Sequence, residues 1–147
     1  SSSISDGASA LMLMAESEAK ARGLTPMARI VAHARNSREP AEFTIAPIGA
    51  IQKVLEKAGW DKDDVDLYEI NEAFAMVTML AERELGLDHD KVNVHGGACA
   101  QGHPIGSTGA RIIVSLMYAL REYGKQKGVA ALCIGGGEAT AVAIEML

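Results

Sequence analysis

Residues 96–106 have the sequence Gly-Gly-Ala-Cys-Ala-Gln-Gly-His-Pro-Ile-Gly. Four of these eleven residues are glycine, and they surround one imidazole, His103, and one thiol, Cys99. Glycine lets backbone N–H groups approach a ligand closely, and imidazole and thiol groups can transfer protons or act as nucleophiles. This stretch is therefore the first candidate for a functional loop.

Length and composition limit the classes of protein to which this chain can belong. With 147 residues we expect one domain, residues 1–147. A composition of 48% hydrophobic and 22% charged residues is typical of a globular protein. A net charge of -5, with no cluster of Lys and Arg, argues against a nucleic-acid partner. The longest apolar run, Ile112–Leu120, is shorter than the ~20 residues that cross a bilayer, so no membrane partner is expected.

The cysteine content and the first residues of the sequence predict the cellular location of the protein. Two cysteines, Cys99 and Cys133, make no disulfide framework in a chain of this size. The serine-rich start has no charged signal-peptide region. We expect a cytoplasmic protein.

Hydrophobic periodicity predicts alternating strands and helices. Five strands are predicted, at Gly7–Met14, Met27–Ala34, Val65–Ile70, Val129–Ile134 and Glu138–Met146. Helices are predicted at Glu16–Arg22, from Pro47 to Gly59, from Phe74 to Gly86 and from Ile105 to Tyr123. This order predicts a layered α/β domain with helices on both faces of a mixed, mainly parallel five-stranded sheet, whose last strand is antiparallel.

The helix that follows the glycine-rich stretch has almost no polar face between Ile112 and Leu120. A helix that is hydrophobic all round must be covered all round. One sheet covers only one side, so we expect a further layer that this chain is too short to supply.

Three features can carry chemistry: Asn71 at a strand end, His103 in the glycine-rich stretch, and Cys133 before three glycines. The carboxyl ends of parallel strands are where such sheets place ligands. Each feature also has a structural alternative: Asn71 as a helix cap, His103 as an ordinary loop residue and Cys133 as a small core residue. The residue pattern alone leaves these alternatives open.

Metal binding is not predicted. His95, Cys99 and His103 recur every four residues, which on a helix would align three ligands. The intervening glycines and Pro104 oppose a helix there, and no fourth ligand is evident.

Three motifs together resemble the thiolases, and within them the acetyltransferases that act on acetyl-CoA. They are Asn71-Glu72-Ala73-Phe74, Gly102-His103-Pro104-Ile105-Gly106 and Cys133-Ile134-Gly135-Gly136-Gly137, in that order. The start, Ser2-Ser3-Ile4-Ser5-Asp6-Gly7, is similar to the beginning of the family's C-terminal half, so the resemblance covers the whole chain. It implies a thiolase-like fold and a reversible Claisen condensation of acyl-CoA thioesters.

The resemblance also implies roles. His103 corresponds to the histidine that activates a nucleophilic cysteine, and Asn71 to the residue that holds a water in an oxyanion hole. Cys133 corresponds to the acid/base, which would require a lowered thiol pKa, and the Gly135 N–H to a donor of the second oxyanion hole. Ser2 and Phe74 are expected at the substrate. No metal or cofactor is expected, with coenzyme A thioester as substrate.

The family's nucleophilic cysteine has no counterpart in this chain. The resemblance therefore implies an N-terminal thiolase domain as partner, a homo-oligomer when complete, and an isolated chain that is inactive. The alternative is a non-catalytic acyl-CoA-binding or scaffolding module. A decarboxylating condensing enzyme is disfavoured, because such enzymes place a second histidine where Asn71 stands.

Overall fold

The computed structural model describes all 147 residues. Its helices are α1 (Glu16–Ala21), α2 (Ala46–Ala58), α3 (Ala75–Leu85), α4 (Ala98–Gln101) and α5 (Ile105–Glu122). Its strands are β1 (Ala28–Ser37), β2 (Leu67–Ile70), β3 (Lys127–Ile134) and β4 (Glu138–Met146). Glycines in the left-handed region end two of the predicted helices: Gly59 (φ 68°) follows α2 and Gly86 (φ 62°) follows α3.

The strands form one mixed sheet in the order β1-β4-β3-β2. Strand β4 is antiparallel to both β1 and β3, and only β2 and β3 are parallel. The predicted α/β class, the mixed sheet and the antiparallel last strand are confirmed. The prediction of five strands in a mainly parallel sheet is wrong, since there are four strands and one parallel pair.

The missing strand is Gly7–Met14. These residues lie outside any helix or strand, and Met12 is 85% exposed. The Ser9 hydroxyl donates to the Ser107 carbonyl at 2.8 Å, so the segment follows the start of α5 and not the sheet. A short apolar run has no periodicity that separates a buried strand from an extended surface segment, which is why the prediction failed.

Small and bulky residues alternate along β4, and each set faces one side of the sheet. The small residues Ala139, Ala141 and Ala143 point into the larger core cluster, which also holds Ile51 and Val54 of α2. Ile144 belongs to the second cluster, with Val142 and Met146 packed at its margin. The small and the bulky residues of this strand thus lie on opposite faces of the sheet, and the alanines allow α2 to lie close to it.

Helix α5 covers the opposite face of the sheet. Ile112, Leu116, Ala119 and Leu120 are buried there, whereas Tyr118 is 47% exposed on the other side, and Ile105, at the start of the helix, is 75% exposed. Helices on both faces of the sheet are thus confirmed, and one side of α5 has no covering layer within this chain. No helix has the length and apolar character needed to cross a membrane.

Candidate active site

Asn71 lies at the carboxyl end of β2, as predicted. Its backbone N–H donates to Ala131 of β3 at 2.9 Å, and the residue is 1% exposed. The preceding residue, Ile70, is held by the side chain of Asn93. That amide accepts from the Ile70 N–H and donates to the Ile70 carbonyl, both at 2.8 Å. Asn93 has φ 50°, a left-handed conformation that asparagine tolerates.

His103 reaches the same place from the glycine-rich stretch. Gly102, with φ 94°, turns the chain, and a Cβ there would lie 3.0 Å from the Ser5 Cβ. The His103 N–H donates to the Ser3 carbonyl at 3.1 Å. A glycine is therefore required at position 102, both for its conformation and for the close approach of the N-terminal segment.

The imidazole joins the two motifs. The Asn71 Nδ2 amide lies 3.4 Å from His103 Nε2, and the Thr108 hydroxyl lies 2.7 Å from His103 Nδ1. Burial lowers the pKa of His103, and the positive charge of Arg111 lowers it further. The ring is therefore neutral at neutral pH and can accept a proton.

Cys133 lies near the end of β3, next to the strand that carries Asn71. It is two residues beyond Ala131, the partner of Ile70 in the parallel ladder. The residue is 9% exposed, its thiol is in no disulfide, and burial raises the pKa of that thiol. The sequence-based requirement of a lowered pKa is thus not met within this chain, because its surroundings are apolar and supply no positive charge to a thiolate.

The three glycines after Cys133 form the turn between β3 and β4. Gly136 and Gly137 have φ 100° and 90°, so the turn needs glycine at both positions. A Cβ on Gly137 would lie 2.8 Å from the Glu39 carbonyl oxygen. Gly135 is exposed at the start of this turn, at the same end of the sheet as Asn71.

The two residues expected at the substrate flank this end of the sheet. The Ser2 hydroxyl and N–H both donate to the Ala73 carbonyl at 3.1 Å, which ties the N-terminal segment to the loop after β2. Phe74 is 41% exposed and packs edge to face on Phe43, with ring centroids 5.9 Å apart.

Four further residues organise the site, and the sequence interpretation did not include them. Thr108 contacts His103, and Asn93 holds the end of β2. Glu69, buried in β2, lies 3.7 Å from Arg111 of α5. The sequence could have identified this pair, because a charged residue inside an apolar strand or helix needs a partner. Thr108 and Asn93 gave no comparable signal.

Cys99 contacts Glu72, the residue after Asn71, and has no hydrogen bond to His103. It is exposed on α4, where its N–H donates to the Glu72 carboxylate at 2.9 Å. Histidine, cysteine and acidic side chains form no group of three or more that could hold a metal ion.

Residues 24–146 match the family model described as thiolase, C-terminal domain, and the chain belongs to the thiolase family.

Two acetyl-CoA acetyltransferases are among its relatives. The mouse protein named acetyl-CoA acetyltransferase, cytosolic, is 49% identical over 144 residues, which cover 98% of this chain and 36% of the mouse protein. The crystal structure of the Bacillus anthracis acetyl-CoA acetyltransferase matches with a TM-score of 0.89 and 51% identity, covering 91% of this chain and 34% of that one.

A thiolase structure with a bound ligand is also similar. The crystal structure of Acat5 thiolase from Ascaris suum in complex with coenzyme A has a TM-score of 0.86 and 43% identity, covering 90% of this chain and 34% of that one. The chain therefore spans about a third of the length of the relatives it matches.

Proposed function

We propose that this chain is the C-terminal catalytic domain of an acetyl-CoA C-acetyltransferase, which condenses two acyl-CoA thioesters reversibly and cleaves the product by thiolysis. The observation that carries the proposal is the contact between Asn71 and a neutral, half-buried His103 at the end of β2. A neutral imidazole can take a thiol proton, which is the first need of acyl transfer through a cysteine.

His103 acts on a nucleophilic cysteine that lies outside this chain. Its Nε2 accepts the thiol proton, the thiolate attacks the thioester carbonyl, and the departing coenzyme A thiolate takes the proton back. Asn71 supports the oxyanion. Its Oδ1 is buried and has no hydrogen-bond partner within the chain, which fits an acceptor that holds a water. Such a water, with the imidazole, stabilises developing negative charge.

Cys133 acts as the acid of thiolysis. Burial raises its pKa, so the thiol stays protonated and can give its proton to the α-carbon as the carbon–carbon bond breaks. In the condensation direction the same group removes the α-proton as a thiolate. That step requires a lowered thiol pKa, for which the N-terminal domain would supply donors or positive charge, while the Gly135 N–H of this chain stabilises the enolate oxygen.

Coenzyme A thioesters are the proposed substrates, with Ser2 and Phe74 at their binding surface and no metal or cofactor in the reaction. The printed description of the Ascaris suum structure, a thiolase in complex with coenzyme A, supports this substrate class. Phe74 lies on the loop that follows β2, and its ring is exposed. The Ser2 side chain is hydrogen-bonded to the same loop, so both residues can contact such a substrate.

An N-terminal thiolase domain is the proposed partner. The chain exposes 8064 Å², whereas a 15.5 kDa monomer is expected to expose about 7,200 Å². Exposed apolar side chains contribute to the excess, including Ile105 and Tyr118 on α5 and Met76 and Met79 on α3. A homo-oligomer and a cytoplasmic location are also proposed, the latter supported by the name of the mouse relative.

Thiolysis of acetoacetyl-CoA tests the function. The 147-residue chain alone should give no turnover, and the natural protein that carries it should turn over. In that protein His103→Ala should lower the rate at least about 100-fold, while His95→Ala, an exposed histidine paired with Glu122, should retain it. A loss below about tenfold for His103→Ala would contradict the assignment. Saturable coenzyme A binding without turnover in the natural protein would favour the non-catalytic binding module.

A further inference from the structure

The hydroxyl of Thr108 lies between two acceptors in the first turn of α5. It is 2.7 Å from His103 Nδ1 and 3.0 Å from the Pro104 carbonyl oxygen, and Thr108 is 0% exposed. The hydroxyl therefore has no contact with solvent. A buried hydroxyl has one proton to donate and lone pairs to accept with, so its hydrogen bonds must be shared consistently between the two neighbours.

The Pro104 carbonyl determines which neighbour receives the proton of the Thr108 hydroxyl. The Pro104 oxygen can only accept, and it also accepts from the N–H groups of Ser107 and Thr108 at 2.8 and 2.9 Å, so in its 3.0 Å contact with the Thr108 hydroxyl the hydroxyl is the donor. The Thr108 oxygen then has only lone pairs to offer to His103. A contact of 2.7 Å between two acceptors would be repulsive, which means that Nδ1 of the imidazole must carry the proton.

The other side of the ring agrees with this assignment. In a neutral imidazole with Nδ1 protonated, Nε2 has a free lone pair. The group 3.4 Å from Nε2 is the Asn71 Nδ2 amide, which can only donate. Donors and acceptors thus alternate along one chain of side chains, from Asn71 through His103 and Thr108 to the Pro104 carbonyl.

We propose that Thr108 is a positioning residue that holds His103 as the Nδ1–H tautomer, so that the Nε2 lone pair faces Asn71 and the acyl-transfer site. The value of that lone pair for catalysis rests on the proposed function, because the cysteine it would deprotonate lies outside this chain. The tautomer itself depends only on the contacts of Thr108 and is independent of the activity. Without the hydroxyl, the proton would be free to move to Nε2, and that tautomer cannot act as a base there.

Two substitutions separate the hydroxyl from the shape of the side chain. Thr108→Val is nearly isosteric and removes the hydroxyl, whereas Thr108→Ser retains it and removes a methyl group. Both variants are made in the natural protein that carries this chain, with 15N-labelled histidine. A His103→Gln variant identifies the His103 ring signals by their loss.

The readouts are the protonated ring nitrogen, seen by 15N NMR at neutral pH, and the kinetics of thiolysis. Wild type and Thr108→Ser should carry the proton on Nδ1, and Thr108→Val should show a substantial Nε2–H population. In Thr108→Val we expect kcat to fall at least about tenfold, with a smaller change in KM, and Thr108→Ser should restore kcat to within about threefold of wild type.

An Nε2–H tautomer in the wild-type protein would overturn the proposal, and this measurement needs no variant to fold. Unchanged Nδ1 protonation in Thr108→Val would overturn it as well. If the wild type and Thr108→Ser show the expected tautomer but the protein has no thiolase activity, the proposed function fails while the role of Thr108 stands.

Discussion

Glu69 should make the folding stability of this chain depend on pH. The residue lies in β2 with 2% of its surface exposed. Burial raises the pKa of its carboxyl group to about 7, against the opposing effect of Arg111 and with a smaller contribution from the charge of Glu72. The Arg111 Nη1 atom is 3.7 Å away and makes no hydrogen bond, so the ion pair does not fully offset the cost of burying a charge.

The sign and size of the effect follow from linkage. The pKa in the folded state is above the ordinary value of 4.5, so the folded chain binds more protons than the unfolded chain between these values. The stabilisation is complete below 4.5 and is lost as the pH rises through 7. A rise from 4.5 to about 7 corresponds to about 3 kcal/mol, at roughly 1.4 kcal/mol per pKa unit.

Urea unfolding of the wild type and Glu69→Gln across this pH range measures the effect. The quantity to compare is the free energy of unfolding of the wild type minus that of the variant. This difference should fall by about 3 kcal/mol between about pH 4.5 and pH 8. His103 titrates with the opposite sign, because its pKa is lowered, but it is present in both proteins and cancels.

Glu56→Gln, on the exposed side of α2, is the matched control for the same substitution, and an equal fall for this variant would contradict the assignment of the effect to the buried carboxyl of Glu69. A difference between wild type and Glu69→Gln that is flat, or that rises with pH, would refute the reasoning. It would mean that Glu69 is ionised in the folded chain and that Arg111 outweighs its burial.

Two further substitutions test the packing of α5 on the sheet and the hydrogen bonds that hold the end of β2. Gly128→Ala should lower the free energy of unfolding by about 1–3 kcal/mol, because the new Cβ would lie 2.9 Å from the Leu116 side chain. Gly109→Ala, with no atom within 4 Å, is its control, and equal urea midpoints would contradict the prediction. Asn93→Ala should cost about 1–3 kcal/mol through the lost hydrogen bonds to Ile70; thermal unfolding unchanged from wild type would contradict that.

Patterns in short stretches of sequence predicted the fold well where the contacts join residues that are close in sequence. The β3–β4 hairpin has three glycines between two strands, and the alternation of bulky and small residues along β4 assigns its faces. The position of β1 beside β4, and so the mostly antiparallel sheet, depends on pairing between residues more than a hundred apart. Such pairing leaves no periodic mark on either segment. The apolar run Gly7–Met14 shows a separate limit, because its composition fits a buried strand while the segment lies outside the sheet.

The residues of the site likewise fall into those that local sequence signals identify and those that only the folded structure shows. The end of a strand and a glycine-rich stretch identify Asn71 and His103 from the sequence, but not their 3.4 Å contact. The roles of Thr108 and Asn93 depend on the path of the backbone, which brings a threonine against the imidazole and an asparagine against the end of β2. The raised pKa of Cys133 was likewise beyond the sequence, because it is a consequence of burial.

We propose Cys133 as the acid/base of the acyl-transfer site. The rate of acetoacetyl-CoA thiolysis by Cys133→Ala in the natural protein tests it most directly, with Cys99→Ala, the other cysteine of this chain, as the control. We expect Cys133→Ala to lose about 100- to 10,000-fold in rate and Cys99→Ala to retain the wild-type rate. A Cys133→Ala rate within about tenfold of wild type, or an equal loss in Cys99→Ala, would contradict the account.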